Sequence, residues 1–279
     1  MTTVKDSTTA PRQQHLIVTV FGLYARQHDG TLAVAELIRL LEATGVEAAA
    51  VRSAVSRLKR RGVLESVKKG AQAGYRLAPD LDDVFRAGDE RIFAPRRARA
   101  GDPWILASFS VPESERHVRH RIRSILTRLG CGQVSPGLWI APDTMAQELH
   151  RTLERARLAD YVELFRATHL SMRSSRETVG RWWDLEALDA LYADFLERTA
   201  AVRARWLSAD PEGDPEAAFA DEVALLTEWR RLPYLDPGLP VEHLPEGWSG
   251  LAAERIFAEL HERLAPAARR FADSVIAEQ

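Results

Sequence analysis

Residues 51–64 read VRSAVSRLKRRGVL, and they place five Lys or Arg residues within eleven positions. Val51, Val55 and Leu58 recur at helical spacing and predict one apolar stripe, with Ala54 beside it. Gly62 suits the left-handed cap that ends a helix. The stretch therefore predicts an amphipathic helix from about residue 47 to 61. Its polar, cationic face carries Arg52, Ser53, Ser56, Arg57, Lys59 and Arg60.

The sequence before this helix has two further segments with apolar residues at helical spacing. They are HLIVTVFGLYARQHDG (residues 15–30) and LAVAELIRLLEATG (residues 32–45), and each ends on a glycine. The second of them is separated from the cationic helix by only two or three turn residues. Two short helices joined by a tight turn, the second with a cationic face, predict a helix-turn-helix.

A β-hairpin is predicted directly after the cationic helix. VLESVKK (63–69) alternates as a strand, GAQAG (70–74) predicts a flexible tip, and YRLAP (75–79) predicts the returning strand. A hairpin in this place is the wing of a winged helix-turn-helix, here over residues 15–80. Between residues 52 and 76 the chain has eight Lys or Arg and one acid, Glu65.

This arrangement predicts binding to double-stranded DNA, because an α-helix fits the major groove and cations attract phosphates. Arg52 and Arg57 can each donate two hydrogen bonds to guanine, while the two serines reach a base or a phosphate. The alternative that stays open is an ordinary helix with a solvated charged face. The predicted DNA-binding residues are Arg52, Ser53, Ser56, Arg57, Lys59, Arg60, Lys68, Lys69 and Arg76.

Charge is unevenly distributed along the chain, although the total is only −2 over 279 residues. Residues 1–80 sum to +5, residues 81–179 to +3 and residues 180–279 to −10. This division favours a first part that meets a polyanion. A single cysteine excludes an internal disulfide, and no apolar run has membrane length. We therefore expect a cytoplasmic protein that binds no membrane, with a disordered tail at residues 1–14.

The rest of the chain predicts a helix and linker at 81–102 and two further domains. Strands and helices alternate over residues 103–175, which favours a ferredoxin-like α/β sandwich that serves for dimerisation. Residues 176–279 predict a helical C-terminal domain. Its tryptophans either form core or line a pocket, and the second interpretation makes the domain a candidate for effector binding. The fold class is thus α+β and multidomain. Arg96, Arg97 and Arg99 are interpreted as solvated linker residues.

Catalytic and metal-ligating patterns are weak. His117 and His120 are three apart on a predicted helix, but the neighbouring arginines would repel a cation, so no metal site is predicted. Cys131 is interpreted as a small, partly buried residue and not as a reactive thiol. The sequence has no nucleophile elbow, phosphate-binding loop or dinucleotide fingerprint. We expect no catalytic residue and no cofactor.

The order of these predicted domains resembles that of the PaaX-type transcriptional repressors over nearly the whole chain. The resemblance is carried by VRSAVSRLKRRGVL (51–64), SPGLWIAP (135–142) and WRRLPYLDPGLPVEHLPEGWSG (229–250). It implies a homodimer with an N-terminal winged helix, a central domain similar to a CRISPR-associated nuclease, and a helical C-terminal region. It also implies that the protein represses genes of phenylacetic acid or related aromatic catabolism. An acyl-CoA such as phenylacetyl-CoA would release it from an inverted-repeat operator.

The sequence departs from the family pattern in two places. The wing tip KKGAQAG (68–74) has small neutral residues in place of arginine, and the strand ending SFSVP (108–112) lacks the aspartate that related nucleases use for metal. No ligand-binding residue is assigned by the resemblance. Two rival hypotheses stay open: an enzyme on CoA thioesters or nucleic acid that docks through its winged helix, and a protein-interaction module.

Overall fold

The computed structural model describes residues 6–170 and 175–277. The N-terminal part begins with helix α1, continues through a small sheet and two short helices, and ends in a hairpin. The predicted winged helix-turn-helix is confirmed, with strand order β1-β3-β2 and antiparallel pairing throughout. Its elements are α1 (Asp6–Leu23), β1 (Thr31–Ala33), α2 (Val34–Ala43), α3 (Ala48–Arg60), β2 (Leu64–Lys69) and β3 (Gln72–Leu77).

Two glycines set the turns of this motif, as the sequence predicts. Gly45 has φ +78° and lies between α2 and α3, and Gly62 has φ +67° after α3. The amides that follow them bond back into the helices: Val46 to the carbonyl of Leu41 at 3.1 Å, and Val63 to that of Leu58 at 3.0 Å. A residue with a side chain is strained in this left-handed conformation, whereas glycine is not.

The first helix begins earlier than its apolar pattern indicates. We expected a tail at residues 1–14, but α1 starts at Asp6, and residues 1–5 lie outside the described part of the chain. Gln14 is buried, and its side-chain oxygen accepts a 3.2 Å hydrogen bond from Arg61. A polar residue of α1 therefore belongs to the packed structure, although its polarity indicated a tail.

The wing is tighter than the sequence indicates. Instead of a five-residue flexible tip, only Gly70 and Ala71 form the turn, and Gly70 has φ +60°. Strand β3 already begins at Gln72 and pairs with Lys69. Gly74 lies under β1, where an added Cβ would be 2.7 Å from the carbonyl oxygen of Leu32. The glycine taken for a flexible tip is thus required for close strand approach.

A linking helix and a second α/β arrangement follow. The order βαββαβ with strand order β5-β6-β4-β7 confirms the predicted ferredoxin-like topology. Strand β5 was not predicted, because four residues with no large apolar side chain except Val134 give no alternation. The elements are α4 (Asp82–Phe93), β4 (Trp104–Phe109), α5 (Arg116–Arg128), β5 (Gly132–Ser135), β6 (Leu138–Pro142), α6 (Ala146–Arg155) and β7 (Val162–Ala167).

The C-terminal part is helical, as predicted. Its irregular segment after α9 is held by Asp236, whose carboxylate accepts bonds from Tyr192 Oη at 2.9 Å and from Arg97 Nη2 at 3.1 Å. Arg97 is therefore not the solvated linker residue that we expected. The helices are α7 (Ser175–Trp182), α8 (Leu185–Ser208), α9 (Pro215–Trp229), α10 (Leu232–Leu235) and α11 (Ser249–Ala277).

The chain forms two compact units, and the sequence does not reveal how they are composed. Unit 1 contains the described residues up to Gly88 together with Leu196–Trp229 and those from Glu254 onward. Its core joins the winged helix to α9 and α11 through Phe219, Val223 and Ala272, all fully buried. Unit 2 contains Asp89–Phe195 and Arg230–Ala253. The C-terminal helices are thus shared between two cores.

In the second unit, α5 and α6 cover one face of the sheet. Ile105, Ala107 and Phe109 of β4 point to this face and pack with Ile122 and Leu126 of α5. The tryptophans of the chain are mostly core. Those that are buried are Trp139, Trp183, Trp206, Trp229 and Trp248.

Candidate DNA-binding surface

Helix α3 presents the cationic face that its sequence predicts. Val51, Ala54, Val55 and Leu58 are at most 3 % exposed and pack into the core of the winged helix. The helix therefore has a fixed orientation, and burial of this stripe stabilises it by roughly 1.5–3 kcal/mol for each large side chain. The other side faces solvent, with exposed Arg52, Ser53, Ser56, Lys59 and Arg60.

Three of these side chains form no hydrogen bond or ion pair within the described part of the chain. Within residues 6–170 and 175–277, Arg52, Ser56 and Arg60 have no hydrogen-bond or ion-pair partner. The two guanidinium groups can therefore bind an anion without giving up a contact inside the protein. Arginine in such a position offers the planar pair of donors that suits guanine or phosphate.

Arg57 is oriented by its own helix. Its Nη1 donates a 2.7 Å hydrogen bond to Ser53 Oγ one turn earlier, and its Nε is buried without a partner among the described residues. The side chain is half-buried, so it loses less conformational freedom on binding than an extended arginine. Ser53 keeps its hydroxyl proton for donation to a base or a phosphate.

Lys59 connects α3 to the wing. Its Nζ lies 5.7 Å from the centre of the Tyr75 ring on β3, which is a cation–π contact. Such a contact contributes about 0.5–1 kcal/mol at an exposed site, and the ammonium remains open to solvent. The contact places Lys59 between the helix and the hairpin.

Lys69 has a different environment from the one predicted. Its Nζ lies 2.8 and 2.9 Å from the two carboxylate oxygens of Glu36, whose side chain is 1 % exposed. Glu36 also accepts the backbone N–H of Ala33 at 2.7 Å. The ammonium of Lys69 therefore neutralises a buried carboxylate, and moving it to a phosphate would leave that carboxylate unpaired.

The other two wing cations are more available. Lys68 is exposed and has no partner among the residues that the structure describes. Arg76 pairs with Glu65 on the adjacent strand at 2.9 Å, with the two side chains 47 % and 44 % exposed. An exposed pair of this kind is worth at most about 1 kcal/mol, so Arg76 can exchange Glu65 for a phosphate at little cost.

Sequence reasoning missed Glu36, although a signal for it was present. An acid at the third position of a helix commonly bonds back to the amide that precedes the helix, as Glu36 does to Ala33. Its role as the partner of the wing lysine required the tertiary structure, since the two residues are 33 positions apart.

The chemistry of the remaining reactive side chains is limited. His117 and His120 lie exposed on α5, and the described residues contain no cluster of three His, Cys, Asp or Glu suited to a metal. Cys131 is buried, and its burial raises the pKa of the thiol to about 12. A thiol with so high a pKa is a poor nucleophile.

Among the described helices, none is long and apolar enough for a membrane span.

Comparisons with known proteins agree with this architecture in order and extent. Residues 12–81 match the family model of the PaaX-like protein, residues 97–179 the PaaX protein central Cas2-like domain, and residues 183–274 the PaaX-like protein C-terminal domain. The chain is 27 % identical over 260 residues to the transcriptional repressor PaaX of Escherichia coli (strain K12). That match covers 92 % of this chain and 81 % of the repressor.

A solved structure shows a similar fold. It is an uncharacterized protein, Rv0674, from Mycobacterium tuberculosis, with a TM-score of 0.61 and 22 % sequence identity. The similarity covers 92 % of this chain and 97 % of that one. The three family models follow one another along the chain and coincide with the winged helix, the ferredoxin-like sheet and the C-terminal helices. The chain therefore belongs to the PaaX-like family.

Proposed function

We propose that this protein is a cytoplasmic transcriptional repressor, and not an enzyme, that binds double-stranded DNA through α3 and the wing. The observation that carries the proposal is the outward face of α3. It has exposed Arg52 and Arg60, without partners in the described chain, on a helix whose opposite side is buried. The name of the Escherichia coli relative, transcriptional repressor PaaX, supports the same function.

The contacts divide by position along α3 and the wing. Arg52, in the second turn of α3, and Arg57, at the start of its last turn, read base edges in the major groove, with Ser53 and Ser56 beside them. Later residues contact phosphates, which makes the affinity fall with salt. Lys69 contributes indirectly, because it holds the hairpin to α2. The phosphate contacts come from Lys59, Arg60, Lys68 and Arg76.

We further propose that the protein acts as a homodimer on an inverted-repeat operator. A symmetric dimer places two recognition helices on successive major grooves, and the operator then mirrors that symmetry. The ferredoxin-like sheet supports this role, because β7 is an edge strand and its Phe165 is 53 % exposed. Such an edge, with an apolar side chain, is suited to pairing with a second copy.

The effector proposed from the family resemblance is an acyl-CoA, with phenylacetyl-CoA as the first compound to test. The regulated genes would belong to phenylacetate or related aromatic catabolism. To release DNA, the ligand must bind the DNA-incompetent state more tightly than the competent one, since equal affinity would shift nothing. Titration calorimetry with phenylacetyl-CoA, with and without operator, tests this part separately.

The DNA-binding proposal is tested by selecting duplexes from a random pool with the wild-type protein. Enrichment of an inverted repeat is expected, with affinity that falls steeply as salt rises. The double variant Arg52→Ala, Arg57→Ala should lose roughly 1–3 kcal/mol of discrimination for each base contact removed. Lys68→Ala, the matched control, should weaken all duplexes alike. Failure to enrich any sequence would contradict the proposal.

A further inference from the structure

Helix α5, in the second unit, has the same kind of charge pattern as α3. Its thirteen residues, Arg116–Arg128, include five arginines and two histidines but no acid. Among the described helices of eight or more residues, only α3 and α5 combine several basic residues with no acidic one. The proposed function does not use α5, so its charge requires a separate account.

The packing of α5 directs this charge into solvent. Val118, Ile122, Ile125 and Leu126 are buried against the ferredoxin-like sheet, which fixes the side that faces inward. The opposite side has two small hydroxyl residues among the basic ones. The exposed residues of α5 are Arg116, His117, His120, Arg121, Arg123, Ser124, Thr127 and Arg128.

Two of the five arginines are used within the unit. Arg119 donates to the carbonyl of Val111 at 2.8 Å and to the carboxylate of Glu113 at 3.0 Å. Arg121 donates to the carbonyl of Ala156 at 2.9 Å, which stabilises the contact between α5 and the end of α6. These two side chains therefore have a structural role inside the unit.

The other three arginines carry charge that nothing in the described part of the unit neutralises. Arg123 makes only a 3.4 Å bond to the neutral amide of Gln133. Arg116 and Arg128 have no hydrogen-bond or ion-pair partner among residues 6–170 and 175–277. Glu113, just before the helix, is already paired with Arg119 at 3.0 Å.

We propose that this face of α5 is a second DNA-binding surface, which contacts duplex phosphates without reading bases. The proposal rests on the proposed function in one respect, namely that the protein acts on double-stranded DNA. Arg116 and Arg128 are about 18 Å apart along the helix, which is more than the width of a major groove of about 12 Å. The helix can therefore reach phosphates on both sides of a groove, with Ser124 and Thr127 as additional donors.

An ordinary solvated surface explains this pattern less well. Surface charges of soluble proteins are commonly mixed in sign, and like charges one turn apart weaken a helix. Acidic residues are frequent elsewhere in the chain, since the net charge of residues 180–279 is −10, yet α5 contains none. A polyanion that neutralises the arginines removes the repulsion.

The test compares two triple variants of the full chain. One replaces the three arginines of α5 whose charge is not neutralised: Arg116→Gln, Arg123→Gln and Arg128→Gln. The matched control replaces three exposed arginines on other helices and changes the net charge equally: Arg86→Gln, Arg181→Gln and Arg255→Gln. Affinity is measured by fluorescence anisotropy at several salt concentrations, on the duplex selected by the wild-type protein and on a scrambled duplex of the same composition.

We expect the α5 variant to bind both duplexes at least tenfold more weakly at low salt, with the ratio between them unchanged. The slope of log affinity against log salt should fall by about 1 to 3, since each phosphate contact contributes about 0.9. The control variant should change the affinity for either duplex by no more than about twofold and should leave the salt slope unchanged. Circular dichroism and thermal unfolding verify that both variants are folded.

The possible results separate this inference from the proposed function. If the α5 variant and the control bind alike, or if the α5 variant loses preference for the selected duplex, the phosphate-contact proposal is overturned. If the wild-type protein binds duplexes without any preference, the repressor proposal fails. In that case the salt slope of the α5 variant on the scrambled duplex still decides whether α5 contacts phosphates.

Discussion

The ammonium of Lys69, at the end of β2, lies 2.8 Å from the buried carboxylate of Glu36 in the first turn of α2. The same carboxylate accepts the amide of Ala33 at 2.7 Å, so one acid connects the wing hairpin to the start of the helix-turn-helix. Because the side chain of Glu36 is 1 % exposed and that of Lys69 is 22 % exposed, the pair is largely removed from water. Each partner therefore depends on the other for its charge to be tolerated.

Loss of Lys69 alone should destabilise the winged helix. Lys69→Met leaves a buried unpaired carboxylate, and we expect a loss of about 2 kcal/mol in the free energy of unfolding. Adding Glu36→Gln should restore part of that loss, because the amide keeps an acceptor for Ala33 without a charge. Urea unfolding at pH 7 measures both variants.

The control for this pair is the neighbouring lysine. Lys68 is exposed and has no partner in the described chain, so Lys68→Met should leave stability within about 0.5 kcal/mol of wild type. Equal effects of the two Lys→Met substitutions would show that Glu36 does not need Lys69.

Gly74 should not tolerate a side chain. A Cβ there would lie 2.7 Å from the carbonyl oxygen of Leu32, so Gly74→Ala forces β1 away from β3. We expect a loss of roughly 1–3 kcal/mol and weaker DNA binding, since the wing would shift. Gly180→Ala is the control, because it lies in a helix with open space around it and should stabilise by about 0.5–1 kcal/mol. Thermal unfolding of both variants decides the matter.

Cys131 should be unreactive in the native protein. It is buried, and with a pKa of about 12 only about one molecule in ten thousand carries the thiolate at pH 8. An aromatic disulfide reagent should therefore label it on the timescale of unfolding, and at once in concentrated urea. Fast labelling without denaturant would mean that the segment opens readily.

The buried carboxyl of Glu222, which contacts His261, predicts a pH dependence of stability. Burial raises the pKa of Glu222 above its ordinary value of 4.5, while the 2.5 Å hydrogen bond with His261 Nδ1 lowers it in part. A carboxyl with a raised pKa in the folded state binds its proton more tightly there than in the unfolded chain. Its contribution to stability is therefore present below pH 4.5 and declines as the pH rises through the folded-state pKa.

Glu222→Gln isolates this contribution. The variant minus wild-type difference in unfolding free energy should shift in favour of glutamine as the pH rises above about 4.5, and then become constant. Urea unfolding from pH 4 to pH 8 measures it, with Glu216→Gln as an exposed control on the same helix. A difference that moves in favour of glutamate over this range would reverse the assigned sign.

The winged helix and the cationic face of α3 were predictable because they depend on local spacing. Apolar residues three and four apart define the buried side, and glycines define where each helix ends. The topology of the ferredoxin-like sheet was also predictable from its order of elements, except for the short β5. The wing tip was misjudged, because small residues indicate flexibility whether they form a loop or let two backbones approach, as at Gly74.

Apart from the short β5, the amino-acid sequence by itself determined the class of elements, their order, the charge on α3 and the family. Only the tertiary structure decided which cations are available, since Lys69 and Arg97 are held by acids 33 and 139 positions away, whereas Arg52 and Arg60 have no such partner in the described chain. It also decided that α9 and α11 complete the core of the winged helix. The physical reason is that periodicity reports which side of an element is buried, whereas the partner across that side depends on contacts between distant parts of the chain.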